Sequence, residues 1–170
     1  MPTDAELTFA DHAGRLYARR YGFAPMVGRL LGYLAICDPR EQSVGELADA
    51  LLASRSAITG AVKALEQLHL VQRSRAAGER MDRVRIELTS SQALGFDPAE
   101  YLEQRDLARE GLQVIKDAAP QRRAVLMWMA AFAEFLADRL PALEKEWNEH
   151  RAALVTAGEL PDIFNLRVKD

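Results

Sequence analysis

Apolar positions recur along this chain with two different periods, and the change of period divides it. From Thr3 to about Tyr21 the spacing is helical. Thr3 and Glu6 stand three apart as a capping box, and Gly22 is a suitable left-handed stop. Pro25 opens a second helical run that ends before Pro39, and within it Gly28 and Gly32 share a face that another helix could approach closely. Ser43-Val44-Gly45-Glu46 repeats the capping box ahead of Leu47, Ala48, Leu51 and Leu52, and after a turn near Ala53 a helix capped by Ser54 is predicted to about Leu68. From Leu70 the period shortens. Val71 to Arg75 and Met81 to Leu88 read as strands around Ala76-Ala77-Gly78-Glu79, a glycine-containing loop of the kind that joins hairpins.

The remainder is helical again. Asp97-Pro98-Ala99-Glu100 starts a helix that runs to about Ala118; Gln121 to Leu140 forms another, and Pro141 is expected to start a third reaching about Val155. The expected organisation is an N-terminal helix (1–22), a central region (23–90), a C-terminal helical region (97–155) and a tail (156–170) whose Ile163, Phe164 and Leu166 are candidate docking residues. The fold class is mainly α with a small β-hairpin.

Two short helices, a tight turn and a hairpin are the order of a winged helix-turn-helix. Projecting the helix after Ser54 at about 100° per residue puts Ala57, Ile58, Ala61, Val62, Leu65 and Leu68 on one side. Ser56, Thr59, Gly60, Lys63 and Gln67 fall opposite, with Arg55 at the edge and no carboxylate before Glu66. Small residues let such a face enter a major groove, where hydroxyls, an amide and cations meet base edges and phosphates. Ser43 and Ser54, at the two helix starts, are candidates to hold backbone phosphates. The hairpin adds Arg73, Arg75, Arg80, Arg83 and Arg85, suited to phosphates or a narrow minor groove, with Arg80 the first choice for its tip and Arg83 the next.

Charge changes the picture by its distribution. Net charge is −3, yet residues 54–85 hold seven basic and three acidic residues while the rest holds 15 and 22. Double-stranded DNA is therefore the expected partner. A winged-helix module that binds protein is the alternative, but its exposed helix face should be apolar or acidic.

The helix predicted over Gln121 to Leu140 is apolar nearly all round. Such a helix needs cover on every side, and in a chain of 170 residues a second copy is the simplest cover. Val125, Trp128, Phe132, Phe135 and Leu136 are the expected dimer contacts. Twofold pairing would place two reading helices roughly 34 Å apart, matching successive major grooves.

Composition excludes other classes. A single cysteine, Cys37, permits no disulfide framework within the chain, and its place in an apolar run reads as a small buried hydrophobe. His12, His69 and His150 are isolated; no metal-ligand spacing, phosphate-binding glycine loop or nucleophile elbow is present, so neither cofactor, metal nor enzymatic activity is expected. The N-terminus has no basic region before an apolar run, and the stretch from Ala124 to Ala137 is too short for a membrane span, so a cytoplasmic protein is expected.

Ser43-x-x-Glu46-Leu47-Ala48, Ser54-Arg55-Ser56-Ala57-Ile58-Thr59 and Leu65-Glu66-x-Leu68-x-Leu70-Val71 together resemble the MarR family of winged-helix regulators. The upstream Gly22-Phe23-Ala24-Pro25-Met26-Val27-Gly28-Arg29 and Gly32-Tyr33-Leu34 resemble its GbsR-type branch. The resemblance covers about residues 20–89. It implies a homodimeric transcription regulator, expected to repress, with the first and last helices in the dimer region and a small-molecule effector bound between them and the DNA-binding part. Tyr17, Phe23, Tyr33 and Trp128 are the aromatic candidates for that pocket, and an aromatic cage suits a cation. The wing departs from the family pattern: Leu88-Thr89 matches the strand end, but Glu79-Arg80 and Asp82-Arg83 compete for its acidic-arginine position.

Overall fold

Thr3, Ser43, Ser54 and Asp97 each accept a backbone N–H from the turn that follows, and each starts a helix. A side-chain cap of this kind contributes about 1 kcal/mol by satisfying an amide with no intrahelical partner. The computed structural model describes residues 1–75, 81–87 and 90–161. In order they form α1 (Asp4–Tyr21), α2 (Pro25–Ile36), β1 (Gln42–Ser43), α3 (Val44–Ala50), α4 (Arg55–Gln67), β2 (Val71–Ser74), β3 (Arg83–Ile86), α5 (Ser91–Leu94), α6 (Pro98–Val114) and α7 (Pro120–Thr156). The expected hairpin loop Ala76–Glu79 with the neighbouring Arg80, the strand end Leu88-Thr89 and the tail residues Ile163, Phe164 and Leu166 lie outside the described residues.

The chain divides into two units, Met1–Ala93 and Leu94–Asp170. In the first, α1 and α2 pack with almost nothing between them. A Cβ on Gly28 would stand 2.8 Å from Tyr17 Cβ and 3.1 Å from the Gly14 Cα, and one on Gly32 would collide with Ala13. The shared-face glycines thus serve helix packing. The enclosed side chains Leu30, Leu47, Leu51, Ile58, Val62, Leu65 and Val84 come from α2, α3, α4 and β3, and they join the two short helices and the sheet into one core.

The sheet has a strand the sequence did not announce. β3 lies in the middle, antiparallel to β2 (Val71 opposite Ile86, Ser74 opposite Arg83) and to β1 (Gln42 opposite Val84, Ser43 opposite Arg83). The hairpin is therefore held on its second edge by two residues that run directly into α3. Between α3 and α4 the chain turns through Leu52, a left-handed residue with φ 50, and Ala53 N–H bonds the Ala48 carbonyl at 2.9 Å.

In the second unit, α6 and α7 form a helical hairpin. Ala108 on α6 and Ala133, Ala137 and Leu140 on α7 are buried, and Leu126 fills the space left by Gly111. Pro141 does not start a new helix, as the sequence suggested. It lies inside α7, which runs unbroken for 37 residues, about 55 Å. An interior proline forfeits one hydrogen bond and costs about 3 kcal/mol. Here the buried row Ala133, Ala137 and Leu140 holds the preceding turns in place. Among the described residues no helix is long and apolar enough to cross a membrane.

Candidate nucleic-acid interface

Helix α4 separates its faces as its sequence implies. Ile58, Ala61, Val62 and Leu65 are buried, while Ser54, Arg55, Ser56, Gly60, Lys63 and Gln67 are exposed and Thr59 is half-buried. Two residues depart from the projection: Ala57 and Leu68 are exposed, because at either end the helix extends past the core it covers. Ser54 Oγ accepts Ala57 N–H at 3.1 Å and meets Ser56 Oγ at 3.0 Å, so the first turn presents a capped, hydroxyl-rich end. A Cβ at Gly60 would meet nothing within 4 Å, so packing within this chain does not require glycine there. The Arg55 guanidinium lies back beside α3, its Nη2 3.7 Å from where a Cβ on Gly45 would stand.

Ser43 is placed differently from the other candidates. It is 3% exposed; its hydroxyl accepts Glu46 N–H at 3.2 Å, and its own N–H donates to Glu46 Oε2 at 2.7 Å. Hydrogen bonds to the carboxyl from the Ser43 backbone N–H and from its side chain, with Arg83 nearby, hold Glu46 below its ordinary 4.5. Ser43 caps α3 from inside the core and offers no hydroxyl at the surface.

Every described wing arginine is matched with a carboxylate. Arg75 pairs with Asp82 at 2.7 Å just past the loop end of the two strands, Arg83 with Glu46 at 3.3 Å, and Arg85 with Glu41 at 3.4 Å. Arg73 stands 2.8 Å from a Glu66 oxygen as an electrostatic contact without a well-aligned hydrogen bond. The pairs link β2 to α4 and β3 to α3, so the wing root is fastened to both helices of the helix-turn-helix. Their acidic members stand 7 to 44 residues from their partners, and no local pattern exposes Glu41, Glu46 or Glu66 as part of the site. Arg80, the expected tip, lies outside the described residues.

Within the first unit the aromatic candidates for an effector pocket fall at two places. Tyr17 and Phe23 stack at 6.2 Å, and Tyr21 completes a triangle of rings with both. Tyr33 is buried at the other end of α2 and lines a cavity of about 440 Å³ with Glu6, Asp38, Gln42, Glu46 and Asp49. Trp128 belongs to the second unit. Cys37, buried just after α2, has its thiol pushed up to about 11 by desolvation and stays protonated at neutral pH. Among the described residues no group of three His, Cys, Asp or Glu could hold a metal.

The expected dimer residues form an apolar stripe on α7. Within this chain Val125, Trp128, Phe132 and Phe135 are exposed, Trp128 at 78% and Phe132 at 60%, and Leu136 is half-buried.

A capped helix with a polar outer face, preceded by a second short helix and followed by a small antiparallel sheet, defines a winged helix-turn-helix regulator. Comparison with known proteins agrees. The family model for MmpR5-like MarR family transcriptional regulators matches residues 92–150, and that for the MarR family matches residues 21–80. The HTH-type transcriptional regulator MmpR5 of Mycobacterium tuberculosis (strain ATCC 25618 / H37Rv) is 35% identical over 117 residues, 68% of this chain and 70% of that protein. The crystal structure of a transcriptional regulator, 29% identical, matches with a TM-score of 0.78 over 85% of this chain and 99% of that one. The chain belongs to the MarR family of transcriptional regulators, which bind DNA and are not enzymes.

Proposed function

We propose that this regulator acts as a homodimeric repressor that inserts α4 into the major groove and lays the β2–β3 wing along the neighbouring minor groove. The observation that carries the reading is the outward face of α4. Arg55, Ser56, Gly60, Lys63 and Gln67 stand exposed together opposite an enclosed apolar face, with half-buried Thr59 among them. Ser54 and the free amides of the first turn add a place for a backbone phosphate. Arg73, Arg75 and Arg83 of the wing exchange their carboxylate partners for phosphate and minor-groove contacts, joined by Arg80, the residue expected at its tip from the sequence. Ser43 is left out of the contact set because it is buried under its own cap.

The second copy sits on the apolar stripe of α7. Burying one such side chain is worth about 1.5–3 kcal/mol, so five on each protomer exceed the roughly 4–15 kcal/mol lost on association. Phe9 and Leu16, seven apart on α1 and both about half exposed, support a part for α1 in the same interface. A small-molecule effector is part of the proposal, and the cavity beside Tyr33 is its place in the first unit. Assignment to the GbsR-type branch rests on the Gly22–Arg29 segment and the close-packed α2 glycines.

Titration of a random-sequence duplex of about 30 base pairs tests the reading. A dimer making 6–10 phosphate contacts loses about 10³–10⁵ in affinity between 50 and 200 mM salt. Lys63→Ala should weaken binding with the dimer intact. Absence of retention at low salt would overturn the assignment of α4, and sites selected from genomic fragments would supply the operator.

A further inference from the structure

Glu41 stands in the connection between α2 and β1, and both strands of the wing are tied to it. One carboxylate oxygen accepts from Ser74 Oγ of β2 at 3.1 Å; the other meets Arg85 Nη1 of β3 at 3.4 Å. Its backbone carbonyl accepts from Arg83 Nη1 at 3.3 Å. Arg85 is held from the other side as well, its Nη2 donating to Gln72 Oε1 at 2.8 Å, so its guanidinium lies between Gln72 and Glu41. Gln72 and Arg85 face each other in the strand register, which makes this a built arrangement across the wing.

The stability such a pair supplies is small. The Arg85 and Glu41 side chains are 46% and 30% exposed, so solvent screens their attraction. The pair bears on DNA binding all the same, since a cation held by a carboxylate must exchange that partner before it can neutralise a phosphate. We propose that Glu41 is a positioning residue for DNA binding: it fixes both wing strands against the segment leading into α3 and withholds Arg85 from indiscriminate phosphate contact. Glu41 thereby lowers affinity for arbitrary sequence while keeping the wing in one orientation. This rests on the groove-binding reading above.

The test compares the full-length parent, Glu41→Gln and Asp4→Asn on the same random duplex across a salt series. Asp4→Asn removes one exposed carboxylate on α1 and controls for overall charge. Glu41→Gln keeps an acceptor for Ser74 but releases Arg85, so the slope of log Kd against log salt should steepen by about 0.9 for each arginine released. Asp4→Asn should keep the parental slope, and the Tm of Glu41→Gln should stay close to the parent's. A parental or shallower slope for Glu41→Gln, or equal steepening in Asp4→Asn, overturns the proposal. A parent chain with no salt-dependent retention would instead sink the groove-binding reading, and this proposal with it.

Discussion

Arg29 on α2 donates from Nη1 to the carbonyl of Leu51, the last residue before the turn into α4, at 2.6 Å. The same guanidinium pairs through Nε with Asp11 on α1. One side chain thus joins α1, α2 and the end of α3, and satisfies a helix-terminal carbonyl that has no intrahelical partner. Replacing Arg29 by Ala should cost about 1.5–3 kcal/mol, the range for a hydrogen bond to a charged group. Asp11→Ala, at a carboxylate that is itself half exposed to solvent, should cost less than about 1 kcal/mol. Urea unfolding of both variants checks the order; equal losses would contradict it.

Gly60 opposes stability and binding. A glycine in a helix interior costs about 0.5–1 kcal/mol relative to alanine, and the space around this one is open. Gly60→Ala should therefore raise the unfolding free energy by that amount. It should also weaken DNA binding, since the added methyl stands on the face proposed to enter the groove. Thermal unfolding and a binding isotherm on the same preparation read both signs.

Phe132 tests the dimer. Because its ring is largely exposed within the chain, Phe132→Asp removes little internal packing. The expected product is a folded monomer by light scattering, with helical circular dichroism retained and duplex affinity reduced. A dimer of parental mass would take α7 out of the interface.

Acid should unfasten the capping boxes. Glu6 and Glu46 both have carboxyl groups held below the ordinary 4.5, chiefly by hydrogen bonds from Thr3 and Ser43. A carboxylate depressed in the folded state contributes its stability above the unfolded value and loses it as pH falls through the folded one. The urea midpoint should decline from about pH 5 downward. Glu46→Gln should start lower at pH 7 and decline less steeply, which a pH series of unfolding curves measures.

The parts of this fold that are written locally were legible. Thr3 with Glu6 and Ser43 with Glu46 announce their helices by hydrogen bonds closed within four residues, and both capping boxes form. Gly22 ends α1 with φ 72, and the two faces of α4 follow its 3.6-residue period. What escaped depends on distant partners. β1 is two residues long and exists because β3 is there to pair with it. Pro141 carries a local stop signal that the buried row on α7 overrides. Ser43 looks like a surface hydroxyl until the sheet closes over it. In the candidate site, the face of α4 could be read residue by residue. The distant carboxylates that hold wing arginines, Glu41 and Glu46, could not, since Glu41 meets Arg85 only after the chain has folded through four intervening elements.

The near-contact of Gly14 with Gly28 has a mechanical consequence. Interiors packed this tightly barely compress, and α1 has no side-chain cushion on which to slide along α2. A push delivered to α1 is therefore passed on whole, carrying α2 and, through Arg29, the turn ahead of α4 as a single lever instead of being absorbed as slippage between helices.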